Sequence, residues 1–187
     1  MGKRRKRTSE ELASRKRLRM IDKAREYQLG TYSRKFAAPV FQQMIRAEAA
    51  ALPRGESVAI VDGELASVSR DRGQCVCITC GKVHPWIGGI NRFSGMHTGH
   101  FLASRRNSIL FEESNVAPQC SHCNYIHGGQ QQLFAKWMAA VRGSESIERL
   151  ESLKATVVVF SRDDLVDMRI GFQERLLAAK NGMLNHD

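Results

Sequence analysis

Hydrophobic residues at helical spacing predict a helical C-terminal third of the chain. Between residues 133 and 141 the apolar positions recur at i, i+1, i+4, i+5 and i+8, which is typical of a helix with one buried face. Gly143 ends this helix, and Ser144 can cap a second helix with apolar residues between 147 and 153. A last helix is predicted over residues 162–180. We expect these helices to pack over the middle of the chain.

The N-terminal part is predicted to contain two helices and a hairpin. Thr8 to Glu11 has the composition of a helix start, and the helix continues to about Gln28 with only a thin apolar stripe. A second helical stretch covers residues 39–52. Two alternating segments within residues 58–68 flank Asp62-Gly63, a dipeptide suited to the positive φ angles of a tight turn. The sequence therefore predicts a hairpin after the second helix.

Two further local signals concern the boundary between domains and the entry to the last helix. The polar segment 69–73 is interpreted as a joint, which divides the chain into an arm with a small hairpin, residues 1–73, and a second domain, residues 74–187. Residues 157–160 are apolar and β-branched, so a short strand is predicted there. Ser161 and Asp164 then have the spacing of a capping box, with Asp in place of the usual Glu or Gln.

Charge is distributed very unevenly along the 187 residues. The net charge is +10, and residues 1–35 hold 13 Lys and Arg against 4 Asp and Glu. A basic arm favours a polyanion, through the counterions that phosphate contacts release, although a solvated tail has the same composition. The predicted DNA-binding residues are Lys3, Arg4, Arg5, Lys6, Arg7, Arg15, Lys16 and Arg17, with Arg105 and Arg106 in the second domain.

Four of the five cysteines form two C-x-x-C pairs. The pairs are Cys77 with Cys80 and Cys120 with Cys123, and Cys75 is left over. Two such pairs suit a tetrahedral Zn2+ site, and a site closed by four thiolates has no open position for water, so this zinc is predicted to be structural. No secretory segment and no membrane span is evident, which favours a cytoplasmic protein with reduced thiols and no membrane partner.

The order of motifs in the second domain resembles that of a known family. The motifs are CITCG at 77–81, GHF at 99–101, LFEESNVAPQCSHCN at 110–124 and HGG at 127–129. They resemble the phage NinG/Rap recombination proteins and, more broadly, the HNH or ββα-metal nucleases, over roughly the last 105 residues. The resemblance implies an α+β fold: a zinc-stapled ββα-metal core with C-terminal helices and a basic helical N-terminal arm.

The same resemblance implies roles for individual residues. His100 would be the general base, and Asn115 would hold the backbone of the His100 loop. Asn124 would be a ligand of a catalytic Mg2+ or Mn2+ ion. Many HNH enzymes carry an Asp ligand where this chain has Gly99, so another residue must replace it. The candidates are His97, His127, Glu112 and Glu113.

These features predict a metal-dependent DNA endonuclease that acts in phage or prophage recombination inside the bacterial host. The resemblance implies branched or displaced-strand DNA as substrate. A non-catalytic zinc protein with a decayed HNH site, which binds DNA or a recombinase filament, is the alternative. Whether the chain forms a homodimer stays open.

Overall fold

The computed structural model describes residues 8–25, 33–88, 93–103 and 106–184. Its first helix, α1, spans Ser9–Arg25 and begins with a reciprocal capping box. The Thr8 amide donates to Glu11 Oε2 at 2.9 Å, and the Glu11 amide donates to Thr8 Oγ1 at 3.2 Å. This confirms the predicted helix start. The predicted end near Gln28 lies outside the described residues.

The second helix, α2, spans Ala38–Ala51 and follows a π-helical turn at Ser33–Ala37. Pro39 lies in its first turn, where the missing N–H of proline leaves no helical hydrogen bond unmade. The face that carries Phe41 and Met44 is fully buried, mainly against the last helix of the chain. α2 is therefore part of a core and not a solvated arm.

A hairpin follows α2, as predicted. Its strands are β1, Gly55–Val61, and β2, Glu64–Arg70, paired antiparallel with Ile60 opposite Leu65. Asp62 and Gly63 in the turn both have positive φ angles, 50° and 85°.

The cysteine-rich middle of the chain contains two more small antiparallel sheets. β3, Gln74–Val76, pairs with β4, Val83–Pro85, and β5, Met96–His100, pairs with β6, Val116–Cys120. Between β5 and β6 lie a short helix, α3, at Asn107–Leu110 and a 3-10 turn at Glu113–Asn115. A π-helical turn, His122–Ile126, follows β6. This mixture of helices and small sheets confirms the predicted α+β class.

Three helices complete the chain, close to where the hydrophobic spacing predicts them. They are α4, Gln131–Arg142, α5, Ser144–Ala155, and α6, Arg162–Leu184. The predicted capping box at the start of α6 is present, because the Ser161 amide donates to Asp164 Oδ2 and the Asp164 amide donates to Ser161 Oγ. The predicted Ser144 cap is wrong: Gly143 is the N-cap residue, and α5 has no side-chain cap.

The predicted strand at residues 157–160 is also wrong. This segment is an extended connection between α5 and α6 with no strand opposite it, and Val157 and Val159 are 88% and 83% exposed. Its recorded backbone contact is with the Asn107 side chain, which donates to the Val158 carbonyl. β-branched composition alone does not make a strand when no neighbouring strand satisfies the backbone.

Two main hydrophobic cores meet at the β5–β6 sheet. One core contains Phe134, Met138 and Leu150 from α4 and α5, packed with Ile60 of the hairpin. The other joins α2 and α6 around Phe41, Phe111 and Phe172, with Val116 of β6. Elements before and after residue 73 thus share both cores, and the division at that residue stays a prediction. No helix in the described part of the chain is long and apolar enough to cross a bilayer.

Candidate metal centre and adjacent histidine site

The four paired cysteines converge at one point. The Sγ atoms of Cys77, Cys80, Cys120 and Cys123 all lie within 4.8 Å of one another, and Cys80 Sγ is 3.8 Å from Cys120 Sγ. Zn–S bonds of about 2.3 Å place tetrahedral sulfurs about 3.8 Å apart, so the donor set and spacing fit one Zn2+ ion. Among the described residues this is the single cluster of three or more Cys, His, Asp or Glu ligands with such spacing.

Tight backbone turns hold each cysteine pair. After Cys77, the amides of Cys80 and Gly81 donate to the Cys77 carbonyl at 3.4 and 2.9 Å, and Gly81 has a φ of 70°. The second pair begins at the end of β6, and the Gly129 amide donates to the Cys123 carbonyl at 2.9 Å. The β5–β6 sheet is therefore linked to the metal centre through Cys120.

The thiols of this cluster strongly influence one another. Hydrogen bonds from Cys120 and Cys80 hold the pKa of Cys77 far below its usual range, while the same contacts raise the pKa of Cys80. Burial raises the pKa of Cys123 to about 11. One thiolate is thus stabilised by protonated neighbours, and a bound cation is what allows the others to ionise.

Cys75 lies nearby but outside the four-sulfur cluster. Its thiol donates to the Arg46 carbonyl at 3.2 Å, and burial raises its pKa to about 12. A buried protonated thiol of this kind is a packing group.

His100 is the last residue of β5 and has one ring nitrogen without a partner. Its Nε2 atom is buried and makes no hydrogen bond to the described residues. Burial lowers the pKa of His100, and a hydrogen bond to the Leu110 carbonyl, for which Nδ1 is available, partly opposes that effect. The ring is therefore neutral near pH 7, with Nε2 as a free proton acceptor in that tautomer.

Asn115 is fully buried and holds the loop that follows His100. Its Oδ1 accepts from the Leu102 amide at 2.8 Å, and its Nδ2 donates to the carbonyls of Leu102 and Ile109 at 3.3 and 3.2 Å. The Asn115 carbonyl also accepts from the Phe101 amide at 2.8 Å. The side chain thus connects the end of β5 to α3, the helix whose last residue faces His100.

Asn124 and His97 form a pair next to the metal centre. Asn124 lies in the π-helical turn directly after Cys123, and its Nδ2 is 3.3 Å from His97 Nδ1 on β5. Burial, followed by the positive charge of Arg46, lowers the pKa of His97. The structure thus brings together two of the residues that sequence predicts as ligands of a catalytic ion.

Gln119 explains why glycine precedes His100. A Cβ atom at Gly99 would lie 1.9 Å from Gln119 Oε1 and 2.7 Å from Gln119 Cδ. Gln119 has no exposed surface, and its Nε2 donates to Thr79 Oγ1 and to the Gly129 carbonyl. The space of a side chain at position 99 is therefore filled from β6, and no motif in the sequence indicates this.

The other candidate ligands have different partners. His127 lies against His122, with their Nε2 atoms 2.8 Å apart and their rings nearly perpendicular, and both side chains are exposed. Glu112 is paired with Arg149 at 3.1 Å, and Glu113 is paired with Arg175. The structure therefore records none of the three beside Asn124, and it leaves His97 as the neighbour of that residue.

The predicted DNA-binding residues are placed only in part. Arg15 and Lys16 are exposed on α1, and with Arg19 and Lys23 they line one side of that helix. Arg17 instead pairs with Asp167 of α6 at 2.8 Å, and Arg106 donates to the Lys154 carbonyl. The remaining predicted contacts, Lys3, Arg4, Arg5, Lys6, Arg7 and Arg105, lie outside the described residues.

Together, the fold and the four-cysteine centre define a small α+β protein with the donor set of a structural metal site. The family model described as Bacteriophage Lambda NinG protein matches residues 64–182, and the chain belongs to this family. It is therefore a phage recombination-related protein. No curated protein and no solved structure matches the chain.

Proposed function

We propose that this protein is a metal-dependent DNA endonuclease in which His100 is the general base. The observation that carries the proposal is the state of this imidazole. Its Nε2 is partnerless, Nδ1 is available to the Leu110 carbonyl, and burial keeps the ring neutral near pH 7. A buried, oriented imidazole with an unused proton acceptor suits proton abstraction from water.

The reaction would be hydrolysis of a phosphodiester. Water would lose a proton to His100 Nε2 as its oxygen attacks phosphorus, and the bond to the leaving 3′ oxygen would break, which yields 5′-phosphate and 3′-hydroxyl ends. Asn115 would act through the backbone, because its three side-chain hydrogen bonds keep Leu102 and Ile109 in place around the imidazole.

A divalent ion would be held by Asn124 and His97, with the remaining positions left to water and phosphate oxygens. The side-chain oxygen of Asn124 suits Mg2+ or Mn2+, and the His97 imidazole favours Mn2+ of the two. When bound, such an ion supplies stabilisation of negative charge on the phosphate and on the leaving oxygen. The pair matches the position of the missing carboxylate, because His97 lies on β5 two residues before Gly99.

A non-catalytic DNA-binding protein is the second candidate, and one observation favours it. Neither Asn124 nor His97 has a carboxylate as a recorded contact in the described residues, so the pair alone would hold a divalent ion weakly. In that case the cysteine centre would stabilise a DNA-binding surface without cleavage.

The biological setting is proposed from the family. Membership in a phage recombination-related family supports branched or displaced-strand DNA as substrate, in the cytoplasm of the bacterial host. The basic residues of the N-terminal segment would contact the phosphate backbone. A recombinase filament and a second copy of the chain are further proposed partners.

The deciding experiment compares the wild-type protein with His100→Ala on linear, nicked and branched DNA, with Mg2+, with Mn2+ and without either. We expect wild-type cleavage that requires a divalent ion, and a rate about 100- to 10,000-fold lower for His100→Ala with DNA binding retained. Asn124→Ala should also lose activity, but raised Mn2+ should partly restore it. His97→Ala should show the same rescue if it replaces the missing Asp, with His127→Ala as the matched control. Cleavage by His100→Ala at the wild-type rate would refute the assignment.

A further inference from the structure

The side chain of Arg46, on α2, reaches the strand that carries the candidate site. Its Nε donates to the Trp86 carbonyl at 3.1 Å, and its Nη1 donates to Thr98 Oγ1 at 3.1 Å. Thr98 lies between His97 and Gly99 on β5, and its hydroxyl donates in turn to the Gln42 carbonyl at 2.8 Å. The guanidinium is thus anchored on two sides and close enough to His97 for its charge to lower the pKa of that ring.

This guanidinium has no counter-charge among the described residues. The exposed or half-buried arginines Arg17, Arg149 and Arg175 each pair with a carboxylate, whereas the recorded partners of Arg46 are a carbonyl and a hydroxyl. Burial lowers the pKa of Arg46, as expected for a cation that has lost water without gaining an anion. Such an arrangement is unfavourable unless an anion completes it.

One nitrogen of Arg46 remains available for such an anion. Nη2 donates to no described group, and it is not among the polar atoms closed off from solvent. Gly88 lies beside it, because a Cβ at that position would be 3.8 Å from Nη2. The absence of a side chain at residue 88 keeps this nitrogen uncovered.

We propose that Arg46 binds a phosphate group of the nucleic acid at the His97–Asn124 site, and so that α2 completes this site. The inference rests on the proposed function for the identity of the anion as a phosphodiester. A guanidinium suits phosphate because its parallel N–H groups match two phosphate oxygens. Because Asn124 and His97 are neutral and Arg46 is positive, the phosphate supplies the negative charge that the cation site lacks.

A consequence concerns the order of binding. A divalent ion should bind the free protein weakly, since Arg46 repels it, and more tightly once a phosphodiester has neutralised Arg46. A second consequence concerns the chain itself: Arg46 lies before residue 64, so the segment matched by the family model does not contain this phosphate ligand.

The test measures DNA binding as a function of salt in the full-length protein carrying His100→Ala, so that cleavage plays no part. We expect Arg46→Gln to weaken binding about tenfold and to reduce the salt slope by about one phosphate contact, while Arg46→Lys keeps the slope because it keeps the charge. Arg70→Ala is the matched control, since Arg70 is also a buried guanidinium that donates to a backbone carbonyl and a hydroxyl but has no recorded contact with the site. It should lower the melting temperature and leave the slope unchanged.

A second measurement keeps the proposal testable if Arg46→Gln does not fold. In 15N-labelled wild-type protein, the Nε–H resonance of Arg46, assigned from its loss in Arg46→Lys, should shift on addition of DNA. An unchanged salt slope in folded Arg46→Gln, or an unmoved Nε–H resonance at saturating DNA, would overturn the proposal. Neither readout depends on cleavage, so failure of the nuclease assignment would be seen separately, in the wild-type cleavage assay.

Discussion

At the scale of single residues, the site combines groups whose positions are set by buried polar contacts. Asn115 and Gln119 have no exposed surface, and both use their side chains to bridge backbone segments on either side of His100. A buried amide that loses its partners costs about 1–3 kcal/mol per unsatisfied group. These two residues therefore determine the geometry of the site without needing to meet a substrate.

Restoring the usual Asp at position 99 should damage this protein instead of improving it. Gly99→Asp would place a side chain on Gln119, so we expect a loss of about 1–3 kcal/mol in the free energy of unfolding and lower activity. Denaturant unfolding measures the effect. Gly99→Asp combined with Gln119→Ala should recover part of the loss, because the obstructing side chain is gone. Equal stability of Gly99→Asp and wild type would show that Gln119 does not fill this space.

The pH dependence of cleavage should report the lowered pKa of His100. The neutral imidazole is the base, and burial lowers its pKa from 6.5, so the rate should rise with pH and level off below the pH expected for an exposed histidine. The sign for stability follows: protonation favours the unfolded chain, so the contribution of His100 is complete above pH 6.5 and is lost as pH falls through the folded-state pKa. Single-turnover rates from pH 5 to 8, at saturating metal, test this. An acidic limb centred above 6.5 would contradict it.

At the scale of elements, the N-terminal segment divides into a basic helix and a structural helix. α1 contacts α6 through the Arg17–Asp167 pair and through Met20 and Ile21, which pack on a cluster that includes Leu165. α2 is instead buried against α6 and β6 and carries Arg46 to the site. Position along the chain therefore does not separate the DNA-binding part from the folded core.

Deleting residues 1–35 should weaken DNA binding and reduce its salt dependence while the remainder stays folded. The segment holds 13 of the 29 Lys and Arg residues, and α1 makes mainly surface contacts that are each worth little. Phe36, which is buried against Leu165 and Val166, is retained in the truncated chain. Salt titrations of both proteins measure the slope, with circular dichroism as the control for folding. Identical slopes would show that the arm makes no phosphate contacts.

At the scale of the whole molecule, the metal centre holds together segments that have little regular structure of their own. It joins the turn after β3 to the end of β6, and both main cores contact the β5–β6 sheet. Because these sheets have two strands each, packing alone gives them limited stability. Metal binding is therefore expected to supply much of the folding free energy of residues 74–130.

Cys120→Ser should abolish zinc binding and unfold this middle region, not only lower activity. One Zn2+ per chain is expected in the wild type by native mass spectrometry, and none in the variant. Cys75→Ser is the matched control: it removes a buried cysteine outside the cluster and should keep the ion. A folded wild-type protein without zinc would disprove the structural role of the centre.

The sequence by itself determined the features that local chemistry encodes. Asp62-Gly63 specifies its turn through positive φ angles, Thr8 with Glu11 and Ser161 with Asp164 specify helix starts, and the cysteine spacing specifies the metal ligands. Each of these signals lies within a few residues of chain or follows from a ligand type that has few other uses. They were sufficient for the α+β class and for the family.

The tertiary structure alone decided which distant side chains share the site. Arg46 and Thr98 are separated by 52 residues, and Gln119 reaches Gly99 from the neighbouring strand, so no local pattern could indicate either contact. The exposed segment 157–160 shows the converse, since strand-forming residues need a partner that the fold does not provide. Burial and pairing depend on which elements meet, and that is a property of the packed chain rather than of any one stretch of sequence.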